Sequence, residues 1–243
     1  MDKDKQAQER KRVFRFKQFS CMHSRSSMKI GVDGVLIAAW TDCGHAARIL
    51  DVGTGCGVIA LICAQRNADS TIRAIDVHAD SVAEAADNFT TSPWGDRLSA
   101  DLTDFNAITD EKFDLIISNP PYFDSGISAP ETSREVARHQ SSLSPYVLIG
   151  HGRNLLSPEG VLSMIFPADQ LQAILEFAQY EGMNARRVCL VKGSAGSAPK
   201  RAMVELTCAD VPTPVEESLT IENAPNDFTD EYRELCRDLY LKF

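Results

Sequence analysis

The sequence lacks the long apolar segments and the paired metal-ligand motifs that define several protein classes. No apolar run approaches the ~18 residues that a membrane-spanning helix needs. The first 20 residues are charged and have no apolar core, so no signal peptide is expected. The seven cysteines include no Cys-x-x-Cys pair, and no His-x-x-x-His pair occurs. These absences predict a cytoplasmic protein with reduced thiols, no metal site and no membrane association.

Basic residues are concentrated at one end of an acidic chain. The formal net charge is −9 over 243 residues. Residues 1–30 contain nine Lys and Arg against three acids, a net of +6, which leaves −15 on residues 31–243. Such asymmetry is typical of a basic nucleic-acid-binding arm on an acidic body. We therefore divide the chain into a basic arm, residues 1–30, and a single domain, residues 31–243.

Short apolar strands alternate with helices along the domain. The strands are predicted at 48–52, 71–76, 97–100, 113–118, 160–166, 186–192 and 200–207, and the helices at 57–65, 80–89, 144–156 and 169–181. This alternation predicts an α/β fold with a mostly parallel sheet and right-handed crossovers. The last two strands have no helix between them, which predicts an antiparallel hairpin.

A glycine-rich motif, DVGTGCG at residues 51–57, follows the first predicted strand. Glycines at a strand-to-helix turn allow a tight bend and let the backbone approach a ligand closely. Asp76 ends the next strand, where a carboxylate can accept hydrogen bonds from both hydroxyls of an adenosine ribose. A dinucleotide site favours G-x-G-x-x-G. The D-x-G-x-G-x-G spacing found here instead resembles the signature of class I S-adenosylmethionine-dependent methyltransferases.

A second motif, Asn119-Pro120-Pro121-Tyr122, follows the strand at 113–118. Ligands of such sheets bind at the carboxyl ends of the strands. The two prolines make the turn rigid and aim the Asn119 side-chain oxygen and the Pro120 carbonyl the same way. Both oxygens are acceptors, which suits the two donors of an exocyclic amino group, and Tyr122 offers a flat face for stacking. The motif resembles that of amino-methyltransferases that act on adenine N6, cytosine N4 or glutamine amides.

The acceptor pair has a chemical purpose. The N6 lone pair of adenine is delocalised into the ring, so this nitrogen is a poor nucleophile. Accepting both N–H groups favours a pyramidal nitrogen with its lone pair aimed at the methyl group, and the developing positive charge meets oxygen dipoles. No side chain has to remove a proton before transfer, so no general base is expected.

Further segments extend the resemblance to nearly the whole chain, from Phe14 to residues 227–243. They are FRFKQF at 14–19, MKIGVDGVL at 28–36, NPPYF at 119–123, and Arg134, Arg138 and His139 in the long loop 119–142. Together they resemble a bacterial family that N6-methylates the adenine immediately 3′ of the anticodon in a valine tRNA. Val32 and Ala38 stand where that family's pattern has Thr and Gly, and neither change removes a catalytic group.

The resemblance implies a Rossmann-like class I methyltransferase fold, with helices on both faces of a seven-stranded, mostly parallel sheet and an antiparallel C-terminal strand. S-adenosylmethionine would be the cofactor and tRNA the partner of a monomer that binds no DNA and no metal. The implied catalytic residues are Asn119, Pro120 and Tyr122. The implied cofactor-binding residues are Lys29, Asp33, Asp51, Gly53, Gly55, Gly57, Asp76, Asp101 and Asn119, with Asp104 as the competing choice for Asp101.

Basic side chains supply candidate contacts to tRNA phosphates. They are Lys11, Arg12, Arg15 and Lys17 in the arm, and Arg134, Arg138, Lys200 and Arg201 in the domain. Phe14, Phe16 and Phe19 alternate with some of them. These rings either stack on loop bases or bury one strand face against the body.

Four alternative functions are compared with the one that the resemblance implies. A protein glutamine N5-methyltransferase acting on release factors shares both motifs, but such enzymes usually carry a helical domain before the glycine loop. Only 50 residues precede Asp51 here, and Arg-Glu-Val-Ala-Arg-His at residues 134–139 replaces their acidic Glu-Pro element. A DNA enzyme normally has a target-recognition region, and a non-catalytic binding module has no need of the acceptor pair. Another RNA adenine-N6 methyltransferase remains the alternative within the same class.

Overall fold

The computed structural model describes residues 13–26, 29–121 and 143–243. The strands are β1 (Val13–Arg15), β2 (Ser20–Met22), β3 (Arg48–Val52), β4 (Thr71–Asp76), β5 (Leu98–Leu102), β6 (Phe113–Ser118), β7 (Leu156–Pro167), β8 (Asn184–Ser194), β9 (Arg201–Thr207), β10 (Val215–Ala224) and β11 (Asp227–Phe228). The helices are α1 (Val32–Trp40), α2 (Val58–Arg66), α3 (Ala79–Thr90), α4 (Pro145–Gly152), α5 (Leu171–Tyr180) and α6 (Asp230–Leu235).

The described residues form a nine-stranded sheet in the order β11-β10-β8-β9-β7-β6-β3-β4-β5, beside the small β1–β2 hairpin. Strands β3 to β7 run parallel to one another, and β9 lies antiparallel between β7 and β8. The predicted α/β class, the mostly parallel sheet and the antiparallel pairing of the last two predicted strands are confirmed.

Successive side chains of the central strands point to opposite faces of the sheet and belong to two hydrophobic cores. Ile49 of β3 packs on the face covered by α1, α2 and α3, whereas its neighbour Leu50 packs on the face covered by α4 and α5. Since both faces of the sheet are covered, the sequences of these strands are continuous apolar runs, as is typical of parallel sheets. Helices therefore lie on both faces, as expected. No helix within the described residues has the length and apolar character needed to cross a membrane.

The strand count differs from the expected seven because β10 and β11 were not predicted. β10 has one fully buried apolar side chain, Leu219, and four acidic or amide residues among its ten. It lies towards the edge, parallel to β8 and covered on its other side by the two-residue β11. Charged residues are tolerated at sheet edges, and they concealed the strand in the sequence.

Two helical predictions also needed correction. The helix predicted over 144–156 ends at Gly152, because a turn closed by the Leu155 N–H to the Gly152 carbonyl leads directly into β7. Helix α1 was not among the helices predicted from the sequence. Seven of its nine residues are buried, and a helix that is buried all round shows no amphipathic period.

Phe16 and Phe19 distinguish between the two roles expected for the N-terminal aromatic residues, base stacking and burial against the body. Both are buried, their rings stack at 4.4 Å between centroids, and they belong to the core formed with α1, α2 and α3. Burial of a strand face is therefore confirmed over base stacking for these two rings. Residues 1–12 lie outside the described residues, and the domain boundary at residue 30 stays a prediction.

Candidate functional site

The sheet changes direction between β3 and β6. From β3 the chain extends outward through β4 and β5, whereas β6 and β7 lie on the other side. Ligands of doubly wound sheets bind at such a switch point, at the carboxyl ends of the strands. Val52 and Ser118 end these two strands as paired neighbours, and the Ser118 hydroxyl donates to the Val52 carbonyl at 2.7 Å. The glycine loop and the Asn119 turn therefore leave the sheet side by side.

The three glycines of the loop all have positive φ, at +72° for Gly53, +56° for Gly55 and +85° for Gly57. A Cβ on Gly57 would lie 2.5 Å from the Phe89 ring, so this glycine is required for packing against α3. A Cβ on Gly55 would meet nothing within 4 Å. The space over Gly55 is therefore open, as close approach of a ligand to the backbone requires.

Asp51 lies under this loop and is fully buried. Its Oδ2 accepts from the Thr54 hydroxyl at 2.6 Å and from the Ala60 N–H at 3.2 Å, which ties the loop to the first turn of α2. Its Oδ1 is buried without a hydrogen-bond partner among the described residues. Burial raises the pKa of Asp51 to about 7. The residue shapes the loop and leaves one acceptor oxygen unused.

Asp76 lies at the end of β4 with only 8% of its surface exposed. Its Oδ2 accepts from the Gly55 N–H at 3.0 Å and its Oδ1 from the His78 N–H at 2.9 Å. Each carboxylate oxygen has a second lone pair, so the group retains capacity for two further donors. The side chain thus fixes the glycine loop and can also bind a diol.

Sequence reasoning missed two apolar residues beside Asp76. Val77 and Leu102 are 60% and 59% exposed, and Leu102 is the register partner of Asp76 on β5. Two exposed aliphatic side chains next to a buried carboxylate form a surface suited to the faces of a planar ring. The available signal was their position at the ends of β4 and β5, where a polar turn residue is usual.

Asn119 is half-buried and Pro120 is buried, directly after β6. The side of the site that would hold a target base is therefore built on a rigid strand end. Tyr122 lies outside the described residues, and its stacking role stays a prediction.

The remaining predicted cofactor residues are placed around this edge. Asp33 forms an ion pair with Arg201, at 2.9 Å between Oδ2 and Nε. Asp101 pairs with Arg73 at 2.8 Å, whereas Asp104 accepts from the Asn106 N–H at 2.9 Å. Each acid already has a protein partner, so the choice between Asp101 and Asp104 stays open.

Lys29 is exposed and lies near His23. Burial, and next the charge of Lys29, lower the pKa of this histidine. Both residues stand just before α1, whose first buried residue, Gly34, packs against Val58 and Ile59 at the start of α2. Lys29 thus precedes the helix that packs on the start of α2, and its place at the cofactor entrance stays a prediction.

The predicted RNA contacts have different surroundings. Arg15 and Lys200 are exposed. The Lys17 ammonium donates to the main-chain oxygens of Arg237 and Phe243, both at 2.6 Å, and so anchors the C-terminal segment. Arg201 is paired with Asp33. Lys11, Arg12, Arg134 and Arg138 lie outside the described residues.

Comparison with known proteins agrees with this geometry. The family model described as the methyltransferase small domain matches residues 14–173. A tRNA1(Val) (adenine(37)-N6)-methyltransferase of Phocaeicola vulgatus is 42% identical over 229 residues, covering 94% of this chain and 97% of the relative. A protein of the same name from Bacteroides fragilis is 40% identical over 233 residues, covering 94% and 98%.

The chain belongs to this tRNA1(Val) (adenine(37)-N6)-methyltransferase family. Among solved structures, a predicted O-methyltransferase from Agrobacterium tumefaciens superposes with a TM-score of 0.66 at 17% identity, covering 85% of this chain and 96% of the other. That likeness supports the class I methyltransferase fold. The resemblance noted in the sequence is therefore confirmed at the level of family and fold.

The residues present fit S-adenosylmethionine, the cofactor of this methyltransferase family. The carboxylate of Asp76 provides negative charge and acceptors for a cationic ligand with a ribose, and the unpartnered Asp51 Oδ1 lies buried beneath the glycine loop. The open space over Gly55 lets the ligand approach the backbone, and Val77 and Leu102 offer apolar contact for a purine. Gly53 lies in the turn that follows β3, beside the end of β6 that precedes Asn119. These residues therefore fit the ribose and the purine of the cofactor.

We expect Asp51→Asn to remove a pH dependence of stability in this methyltransferase. The pKa of Asp51 is about 7 when folded and ~3.9 when unfolded. The proton bound by the folded state therefore stabilises it fully below about pH 4, and this contribution is lost as the pH rises to 7. The amide oxygen of Asn can keep both bonds that Oδ2 accepts. The difference between variant and wild type should grow by about 2 kcal/mol in favour of the variant from pH 5 to 8.

Denaturant unfolding without cofactor, at both pH values, measures this change. Asp114→Asn is the matched control, because the pKa of Asp114 is lowered. Burial opposes that shift, but the N–H groups of Arg48 and Ala47 and the Ser157 hydroxyl outweigh it. The control should show no change in the difference from wild type between pH 5 and 8, because a carboxyl with a lowered pKa is ionised in both the folded and the unfolded state over that range. A pH-independent difference for Asp51→Asn would contradict the prediction.

Proposed function

We propose that the chain transfers the methyl group of S-adenosylmethionine to the exocyclic N6 of adenine 37, immediately 3′ of the anticodon, in a valine tRNA. One observation carries the proposal: the Asn119 turn leaves the sheet beside the glycine loop, because Val52 and Ser118 are paired strand ends. This pairing supports a site in which the two oxygen acceptors lie next to the open surface over Gly55. The curated relatives act, by name, on the same base of the same tRNA.

The acceptors account for the chemistry. The Asn119 side-chain oxygen and the Pro120 carbonyl would accept the two N–H groups of the adenine amine. This arrangement favours a pyramidal N6 whose lone pair faces the cofactor side of the cleft, and oxygen dipoles stabilise the charge that develops on N6. When bound, S-adenosylmethionine supplies an electrophilic methyl group on a positively charged sulfur. N6 releases its extra proton to solvent afterwards, so no side chain is assigned as general base.

Binding roles follow the same edge of the sheet. Asp76 would accept from both ribose hydroxyls, and Val77 and Leu102 would contact the two faces of the cofactor's adenine. Asp101 or Asp104 would accept from its amino group. Lys29 and Asp33 would line the entrance, and Tyr122 would stack on the target base.

Arg15, Lys17, Lys200 and Arg201, with Lys11, Arg12, Arg134 and Arg138, are proposed to contact tRNA. An adenine in the anticodon loop is nearly single-stranded, so splaying it into the cleft costs only a few kcal/mol. The acceptor mechanism needs no Lewis acid, so we propose that the enzyme is independent of metal. We also propose that it is a monomer that acts on tRNA in the cytoplasm and does not act on DNA.

The test is methylation of bulk tRNA from a strain that lacks the enzyme, with labelled S-adenosylmethionine and purified protein. We expect label in tRNA, and N6-methyladenosine in its nuclease digest by mass spectrometry. Release factor is offered in a parallel reaction. Label in the release factor and none in tRNA would overturn the proposal in favour of a glutamine N5-methyltransferase. Label in a tRNA other than valine tRNA would show that the chain is an RNA methyltransferase with a different target tRNA.

Deleting residues 1–12 should weaken tRNA binding and reduce its salt dependence. The deletion removes five Lys and Arg. Each lost phosphate contact lowers the magnitude of the slope of log K against log salt by about 0.7–0.9. Fluorescence titration of tRNA at several salt concentrations measures this slope, with Lys242→Gln, an exposed charge at the other end of the chain, as control. An unchanged slope would show that the arm makes no phosphate contact.

A further inference from the structure

A buried carboxylate outside the site holds the chain segment that leads into it. Glu84 of α3 is completely buried. Its Oε1 accepts from the Ser24 N–H at 2.6 Å, the Ser24 hydroxyl at 2.9 Å and the Arg25 N–H at 2.9 Å. Its Oε2 accepts from the Ser26 N–H at 2.8 Å. We call Ser24–Ser26 the serine turn. Three consecutive main-chain N–H groups thus converge on one side chain about 60 residues away.

The charge of Glu84 matches this arrangement. Burial by itself would raise the pKa of Glu84. The N–H groups of Ser26, Arg25 and Ser24 outweigh burial and lower the pKa to about 2. A carboxylate that accepts several main-chain N–H bonds stays ionised. The serine turn is therefore held by a permanent negative charge at any physiological pH.

The same face of α3 connects this turn to the glycine loop. Asn88 lies one helical turn after Glu84, and its Nδ2 donates to the carbonyls of Cys56 and Met22, both at 2.8 Å. The Met22 N–H in turn donates to the Asn88 Oδ1 at 2.8 Å. Consecutive pieces of the N-terminal segment are thus fixed to α3, and one of them shares its anchor with the loop.

Two residues that follow the serine turn in sequence contact other elements around the glycine loop. Lys29 is three residues beyond Ser26, and Asp33 is paired with Arg201 at the start of β9. Gly34 packs on Val58 and Ile59, the first residues after the glycine loop. Asp33 and Gly34 are therefore anchored to β9 and to the start of α2, whereas Ser24–Ser26 are anchored to α3.

We propose that Glu84 is a positioning residue for the methyl-transfer site, which fixes the serine turn so that Lys29 and Asp33 line the cofactor entrance. This inference rests on the proposed function for the identity of the ligand. Glu84 itself touches neither cofactor nor substrate.

The experiment compares Glu84→Gln and Glu84→Ala with Asp87→Asn. The amide oxygen of Gln can keep the three bonds on Oε1, and its NH2 group then faces the Ser26 N–H, so the turn is disturbed with little loss of packing. Asp87 is exposed in the same helix and pairs with the Arg25 side chain on the surface, which makes it a matched control. Calorimetric titration with S-adenosylhomocysteine gives the dissociation constant, and thermal denaturation shows that each variant is folded at the titration temperature.

We expect the dissociation constant to rise roughly tenfold in Glu84→Gln and up to about a hundredfold in Glu84→Ala, because loss of a hydrogen bond to a charged group weakens binding by roughly one to two orders of magnitude. Asp87→Asn should stay within about twofold, since exposed ion pairs contribute little. In folded variants kcat at saturating cofactor should change less than KM for the cofactor. A lower melting temperature with unchanged cofactor affinity would overturn the inference and leave Glu84 a purely structural residue. Because calorimetry needs no RNA, failure of the wild type to methylate tRNA would contradict the proposed function separately.

Discussion

Replacing Asn119 by Ala should lower kcat for methyl transfer by about 10²–10³-fold while cofactor affinity changes little. The expected loss is that of one preorganised acceptor aimed at charge that develops in the transition state. Asn119 follows β6 directly, and Ser118 is fixed to Val52 by its hydroxyl, so the acceptor is held by the sheet and not by a loose loop. Single-turnover methylation of tRNA with labelled cofactor measures the chemical step, and calorimetry measures cofactor binding.

Two further variants make the result specific. Asn119→Asp keeps an oxygen acceptor at the same place and should retain more activity than Asn119→Ala. Asn223→Ala, at an exposed position on β10, should match the wild type. Full activity of Asn119→Ala would remove the acceptor mechanism. Equal loss in the Ala and Asp variants would show that the amide NH2 group, and not the oxygen acceptor, is what the site requires.

The parts of the fold that could be predicted are those where local pattern and tertiary role coincide. β3, β4 and β6 have the bounds expected from the sequence, because they are short, apolar and end in glycine or turn residues. α1 and β10 could not be predicted in the same way. The first is buried on all sides and the second lies near an edge with acidic side chains, so neither shows the period of its element.

Motif positions in the site could be predicted, but the partners of most side chains could not. The glycine loop, Asp76 and Asn119 lie together because parallel strands bring their carboxyl ends to one edge. The ion pairs of Asp33 with Arg201 and of Asp101 with Arg73 join residues far apart in sequence, which no spacing rule can indicate. Glu84 was missed for the same reason, since its partners are backbone groups of a distant turn.

Asp76→Ala should weaken cofactor binding roughly a hundredfold or more, the second large effect expected at this site. Two causes act together. The variant loses the acceptor for two ribose hydroxyls, and hydrogen bonds to a charged group contribute about 1.5–3 kcal/mol each. It also loses the bond from the Gly55 N–H, which holds the middle of the glycine loop against the end of β4. Calorimetric titration with S-adenosylhomocysteine measures the sum of both.

Asp76→Asn separates these two causes. Its amide oxygen can still accept from the Gly55 N–H, whereas its NH2 group cannot accept from a ribose hydroxyl and loses the bond from the His78 N–H. If ribose binding dominates, Asn should be nearly as weak a binder as Ala. If support of the loop dominates, Asn should recover most of the affinity. Asp80→Ala, an exposed acid in the first turn of α3, provides the control for charge alone and should bind normally. Normal binding by Asp76→Ala would contradict both roles, and with them the placement of the cofactor between β3 and β4.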